Sequence, residues 1–305
     1  MAAEVFRRDD ALARGMSEAR LRNRRLVVPT RGVRVATGLD ERGDVIPATL
    51  RERCRAAALV LSPTAAFSHT TALRLHHIEV PWLLDEDDAL HVVTPTQEAR
   101  AQRRGIVAHA TSRPVAVTRV AGIRVVTPAH AWVQVASLLG TVDDVVVLGD
   151  RLLDRRSPRA TLESLEETLT VMARSPGVAV CRQAIPLIRF GTDSSMETRA
   201  RLELVRSGLP CPLVNEPVHD DAGRFVSLPD MKYERERVAI EYDGDVHRTD
   251  RATWLRDRER MEQMHDLRWR VITATADDIL RHRGRLAARA RRALGDAAVR
   301  LAGLR

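Results

Sequence analysis

Between Ser194 and Arg292 the chain alternates helix-like and strand-like stretches, and that order leaves few folds open. Ser194-Ser195-Met196-Glu197 is a helix start with hydroxyls to cap the first turn. Gly208 closes the helix, because glycine accepts the left-handed conformation a helix C-terminus needs. Strand-like runs follow at 212–218, 225–231 and 238–242, separated by the turn Asp220-Asp221-Ala222-Gly223 and by a charged stretch at 234–237. A helix over 251–265, a strand over 269–273 and a last helix complete the pattern. Helices interleaved with strands predict an α/β (α+β) arrangement, with a mixed sheet flanked by helices.

Acidic residues recur where those strands end. Asp230 lies at the end of the second strand and Glu241 and Asp243 at the end of the third, so antiparallel pairing predicts all three at one sheet edge. Alternation points Glu241 and Asp243 one way and Ile240 and Tyr242 the other. Two like charges directly after the apolar run Val238-Ala239-Ile240 repel one another. A bound cation relieves that repulsion, and so does a neighbouring arginine. Carboxylates with water and phosphate suit Mg²⁺ (or Mn²⁺), which binds through few carboxylates and activates water at a phosphoryl centre. His247 follows four residues on, with a pKa suited to orienting or protonating a leaving oxygen. An ordinary polar turn at Gly244-Asp245 uses the same residues without chemistry. Spacing alone leaves both readings open.

Composition bounds the rest. A chain of 305 residues suggests two or three domains at roughly 100 to 200 residues each. Hydrophobic residues make up 44% and charged residues 30%, and no apolar run nears the ~20 residues that span a bilayer, so no membrane role is expected. The N-terminal MAAEVFRRDDALARG carries charges where a secretory signal needs an apolar core, which predicts a cytoplasmic protein. Cys54, Cys181 and Cys211 have no CxxC spacing, so neither a disulfide framework nor a thiolate zinc site is expected. A net charge of +8 favours an anionic partner such as nucleic acid. Lys232 is the sole lysine, and a GC-rich codon preference also produces such an arginine-dominated balance.

The chain reads as four segments: 1–48, 49–155, 156–193 and 194–305. In the first, a short helix, a turn at Gly15, a second arginine-rich helix capped by Ser17, and a β-ribbon outline a winged helix. Arg20, Arg22, Arg24 and Arg25 sit on or beside its exposed face, either as DNA contacts or as a solvated surface. The mixed α/β second segment predicts a helix over 50–61, a new helix through 65–75 after Ser62-Pro63-Thr64, and strands at 91–94, 106–109 and 123–126. A further helix starts at Thr127-Pro128. His69, His76 and His77 lack the spacing of a helical zinc site and read as structural or surface histidines. The third segment is a helical connector, bounded by Arg155-Arg156-Ser157-Pro158. Near the C-terminus Arg281, Arg283, Arg285, Arg289, Arg291 and Arg292 recur along a helix, either as phosphate contacts or as a solvated face.

The runs Ser195-Met196-Glu197-Thr198-Arg199, Gly208-Leu209-Pro210, Pro229-Asp230 and Ala239-Ile240-Glu241-Tyr242-Asp243-Gly244-Asp245-x-His247 resemble the Vsr-like (very-short-patch-repair-like) nuclease domain of the PD-(D/E)xK superfamily. Asp257-Arg258-x-Arg260 through Trp269-Arg270-Val271-Ile272 resembles that family's arginine-bearing helix and final core strand. The resemblance covers residues 190–295 and implies a restriction-endonuclease-like core hydrolysing DNA phosphodiester bonds with Mg²⁺. It places Asp230 as principal metal ligand, Glu241 at the second acidic position, Glu197 as the acid of the preceding helix, and Arg258 and Arg260 toward DNA. Asp243 stands where the superfamily pattern has lysine, which leaves His247, then Lys232, as candidates to activate water. Arg8 to Gly38, Ala66-Phe67-Ser68-His69-Thr70-Thr71-Ala72-Leu73 and Val126-Thr127-Pro128 resemble the AbiEi-type antitoxin family, a winged helix followed by an α/β domain. That likeness implies DNA binding and raises a second function, a non-catalytic regulator with a toxin-like partner. A homodimer is compatible with either.

Overall fold

A computed structural model of the chain, describing residues 4–97, 102–244 and 251–302, is a mixed α/β structure with several separate sheets. No described helix is long and apolar enough to cross a membrane. Two units are distinguished, one of Met1–Gly140 with Glu163–Arg182, the other of Thr141–Leu162 with Gln183–Arg305.

The first unit opens with β1 (Val5–Arg7), α1 (Arg8–Ala13), α2 (Glu18–Leu21), β2 (Leu26–Val27) and β3 (Val33–Ala36); β3 lies between β1 and β2 in an antiparallel sheet. Ser17 caps α2 as expected, its Oγ accepting from the Arg20 amide at 3.3 Å. The helix is nevertheless a single turn. Asn23 ends it locally, its side chain accepting from the Arg25 amide at 2.9 Å and its carbonyl from Leu26 at 2.9 Å. Of the four arginines expected on a recognition helix, only Arg20 is helical; Arg22, Arg24 and Arg25 lie in the turn that follows.

After the Thr49/Glu52 capping box, α3 (Leu50–Ala58) packs Ala56 against Val33 and Val35 of β3. The helix expected through 65–75 is shorter: β4 (Ala66–Phe67) precedes α4 (His69–Leu75). Those two strand residues are drawn into the middle of a five-stranded sheet with β5 (Leu90–Thr94), β6 (Ile106–Ala110), β7 (Val117–Val120) and β8 (Ile123–Val126), ordered β6-β5-β4-β8-β7. The hairpin joining β7 to β8 turns on Ala121 and Gly122, at φ +48° and +83°, a two-residue turn that suits antiparallel strands. Thr127 caps α5 (Pro128–Ala136), its Oγ1 accepting from the His130 amide at 3.4 Å. After α6 (Val142–Leu152), which belongs to the second unit, α7 (Leu162–Val171) and most of α8 (Val178–Ala184) return to the first, where Leu165 is buried along with Leu73, Val92, Val125 and Trp132.

In the second unit α9 (Ser195–Arg206) is held to α6 by charge. Asp150 and Arg201, both nearly inaccessible, pair at 2.7 Å, and Thr198 donates to the same carboxylate at 2.9 Å. Asp144 with Arg199 and Asp143 with Arg206 repeat the pairing toward the surface, each at 2.8 Å. These bonds tie α6 to α9, although the boundary read at Arg155-Arg156-Ser157-Pro158 left residues 142–152 in the middle segment.

Strands β9 (Leu213–Val214), β10 (Val218–His219), β11 (Phe225–Ser227), β12 (Met231–Tyr233) and β13 (Val238–Asp243) follow, then α10 (Arg251–Asp266), β14 (Arg270–Thr275), α11 (Ala276–Leu280) and α12 (Arg285–Ala302). The expected strands over 212–218 and 225–231 each divide in two, at 215–217 and at 228–230. A proline stands in each break, Pro217 and Pro229, and supplies no ladder N–H. The halves change partners: β10 pairs with β11 alone, whereas β14-β13-β12-β9 form a mixed sheet in which β13 and β14 are parallel. One face buries Met231, Val238, Ile240, Ile272 and Ala274 with Ala200 and Leu204 of α9 and Leu286 and Ala290 of α12. On the other, Ala239 packs with Met264 of α10, Trp269 and Val218.

Candidate functional site

The acidic residues of the second unit gather where β12 begins and β13 ends. Met231 pairs with Ile240 across the antiparallel ladder, so Asp230, one residue earlier, reaches the last residues of β13. Its Oδ2 accepts the Tyr242 N–H at 2.6 Å. Ile240 and Tyr242 pack on the α9 and α12 side, so alternation turns Glu241 and Asp243 toward the α10 side, as the sequence pattern predicts. From α10, Arg260 approaches Glu241 Oε2 at 3.4 Å.

Glu197 enters from the first turn of α9, where Ser194 Oγ accepts its amide at 3.1 Å. Its Oε2 accepts the Asp193 amide at 2.9 Å and Asn215 Nδ2 at 3.0 Å. Asn215 in turn donates its backbone N–H to the Asp230 carbonyl at 2.9 Å. The asparagine holds this position at φ +46°, a left-handed conformation that its short polar side chain tolerates. Glu197 and the backbone of Asp230, 33 positions apart in the chain, are thereby bridged by one residue that sequence reading did not single out. The only local sign was Asn215 within the proline-bounded stretch 210–217.

Burial pushes the Asp230 carboxyl up to about 7, Glu197 adds to the rise, and Glu241 and Asp193 contribute further; the Tyr242 N–H opposes them. Asp193 is itself paired, with Arg155 at 2.5 Å and Arg156 at 3.2 Å. An acid held so far above its ordinary range by burial first and by neighbouring acids after it is an arrangement common where a cation or a proton is handled.

Asp230 and Glu241 supply carboxylate oxygens, the donor type that a hard divalent cation takes together with water. Among the described residues, the only three His, Cys, Asp or Glu ligand atoms within 4.8 Å of one another belong to histidines of the first unit, so Asp243 does not join Asp230 and Glu241 as a close third ligand. Lys232 is buried away from a water-activating role: its Nζ donates to the Pro217 carbonyl at 2.8 Å, pairs with Glu234 and lies 6.0 Å from the Trp269 ring centre. His247 falls outside the described residues. Arg258 pairs along α10 with Glu262 at 3.2 Å. Of the C-terminal arginines, Arg285 and Arg289 bind Asp278 at 3.2 and 3.1 Å, and Arg291 donates to the Ser207 carbonyl at 2.7 Å. These three tie the helix to its own unit.

In the first unit a groove of about 1540 Å³ is lined by Arg7, Arg8, Arg31, Arg34, Arg103 and Arg104, with Asp9 among them. Arg103 donates to the Arg31 carbonyl at 3.2 Å. Sequence reading looked instead to Arg20–Arg25, because the two halves of the groove are some 70 residues apart and only the fold joins them.

No family model and no solved structure matches the chain. It is 32% identical over 189 residues to the uncharacterized protein Rv2248 of Mycobacterium tuberculosis (strain H37Rv), and equally to the uncharacterized protein MT2308 of strain CDC 1551. The match spans 61% of this chain and 66% of each relative, just under two thirds of their length.

Proposed function

We propose that the second unit is a metal-dependent endonuclease centre acting on DNA phosphodiester bonds, and that the first unit contributes DNA contacts. One observation carries the reading: Asp230, half-buried, sits at the end of a mixed sheet among Glu197, Glu241 and Asp193, with its carboxyl driven up to about 7. Concentrating carboxylates in this way opposes folding and opposes binding to a polyanion, and a divalent cation reverses both effects.

Asp230 and Glu241 would hold the ion. When bound, it lowers the pKa of water and offsets charge on the phosphate under attack. Asn215, fixed by Glu197, holds the backbone at Asp230, and the Tyr242 amide fixes one carboxylate oxygen. Arg260 balances Glu241 and would meet a phosphate brought to the same edge. The arginine groove of the first unit supports backbone contact with a nucleic acid, a feature that the regulator reading shares.

The test is Mg²⁺-dependent nicking of duplex and mismatched DNA by the wild type and Asp230→Asn. The proposal expects cleavage that requires Mg²⁺ and is lost in the variant. Equal nicking by both proteins marks a contaminating nuclease, and salt-sensitive binding without nicking on any substrate returns the protein to the regulator class.

A further inference from the structure

Outside the acidic centre, one cluster of side chains brings together nitrogen ligands that sequence spacing had separated. His69 begins α4, His91 lies on β5 and His109 on β6. One ring nitrogen from each falls within 4.8 Å of the others, and all three belong to the first unit. His69 and His91 are buried and His109 is half-buried. His76 and His77, its neighbours in the sequence, take no part: His76 Nε2 meets the Val126 carbonyl at 2.8 Å and His77 Nε2 meets Arg51 at 2.8 Å.

We infer that His69, His91 and His109 form a binding site for one late first-row divalent transition metal of the Zn²⁺ class, with its remaining coordination position facing an adjoining cavity. His91 Nδ1 and His109 Nε2 are 3.0 Å apart. Two imidazoles sharing a tetrahedral zinc at ~2.0–2.1 Å place their nitrogens about 3.4 Å apart, so this pair opens slightly to admit the ion, while the His69 ring, stacked on His109 at 3.9 Å between centroids and 20° between planes, turns to aim its nitrogen at the same point.

The outer contacts match those of metal-bound histidines. Asp87 Oδ2 lies 2.6 Å from His91 Nε2, so the carboxylate accepts the N–H of that nitrogen and leaves Nδ1 as the ligand atom. His69 Nδ1 meets Ser68 Oγ at 3.0 Å, which leaves Nε2 as its ligand atom. The His69 backbone is left-handed at φ +50°, and its N–H donates to Gln134 Oε1 at 3.2 Å. Such a conformation in a non-glycine residue persists only where its surroundings fix it.

The donor set decides the metal. Imidazole nitrogens without a carboxylate in the inner set suit Zn²⁺, Co²⁺ or Ni²⁺ and not Mg²⁺ or Ca²⁺, which require oxygen. Three protein ligands leave one tetrahedral position to water or substrate. A cavity of about 330 Å³ adjoins the cluster, lined by His69 and His109 and also by His130, Gln134 and Arg113. His130 is buried, and its Nδ1 has no hydrogen-bond partner among the described residues, so a polar occupant of the cavity would satisfy it.

The experiment is a Co²⁺ titration of the full chain, stripped first with a chelator and followed by visible d–d absorption. The inference expects a tetrahedral-type spectrum that saturates at one Co²⁺ per chain and is abolished by one equivalent of Zn²⁺. His91→Gln should weaken binding at least a hundredfold, and Asp87→Asn about ten- to a hundredfold. Asp230→Asn should leave the spectrum unchanged, which separates this site from the acidic centre. Absence of the d–d spectrum in the wild-type protein overturns the inference without recourse to any variant. A spectrum that survives in the combined His69→Gln, His109→Gln variant overturns it as well.

Discussion

Replacing Asp230 by asparagine tests the electrostatics of the acidic centre apart from any cleavage assay. Asparagine keeps the shape and still accepts the Tyr242 N–H, but it carries no charge beside Glu197, Glu241 and Asp193. Lifting the carboxyl from its ordinary 3.8 to about 7 opposes folding at neutral pH by up to about 4 kcal/mol, at about 1.4 kcal/mol per tenfold change. Relaxation of a half-buried site lowers this to about 1–3 kcal/mol, or about 3–9 °C in melting temperature for a protein of this size. The sign follows from linkage. Folding favours the protonated acid, so the wild type's stability at this residue is fully present below about pH 4 and is lost as pH rises to about 7. Asp230→Asn should therefore melt above the metal-free wild type at pH 8, with a gap that narrows toward pH 4. Mg²⁺ should raise the wild-type transition and leave that of the variant unchanged. Calorimetry at several pH values checks this. A variant that melts at or below the wild type at pH 8, or a gap independent of pH, refutes the reasoning.

Arg201→Met strips the Asp150 carboxylate of its buried partner and should cost about 3–5 kcal/mol in urea unfolding, because the acid stays buried with hydroxyl and amide donors only. Gly177→Ala places a Cβ 2.3 Å from the Val133 carbonyl at a φ of +88°, so a loss of about 1–3 kcal/mol is expected on thermal unfolding. Lys232→Met removes the charge held by Pro217 and Glu234; its effect should appear in stability while Mg²⁺-dependent nicking continues, and loss of nicking in a variant with wild-type circular dichroism would restore lysine to the chemistry.

The centre was legible from sequence as far as its parts depend on parity and local capping. Glu241 and Asp243 share a face because alternation is a property of any strand, and Ser194 starts the helix that carries Glu197 because a hydroxyl three residues ahead meets its amide. The role of Asp230 was less visible. Its expected strand breaks at Pro229, so it precedes β12 instead of ending β11, and it reaches β13 only through the β12–β13 register. The helix expected to carry Arg20–Arg25 is cut short for a related reason: the helical pattern was there, but the Asn23 side chain competes for the backbone and stops the helix after one turn.

Caps, glycine turns, strand parity and the charge balance were thus determined by the sequence itself, since each depends on groups within a few residues of one another. Which distant residues meet was decided only in three dimensions. Asn215 bridges Glu197 and Asp230, α6 clamps α9 through Asp150 and Arg201, two arginine runs share a groove, and three histidines from α4, β5 and β6 converge. Each meeting depends on strand order and helix packing, which the summed burial of the whole unit selects and no local pattern encodes.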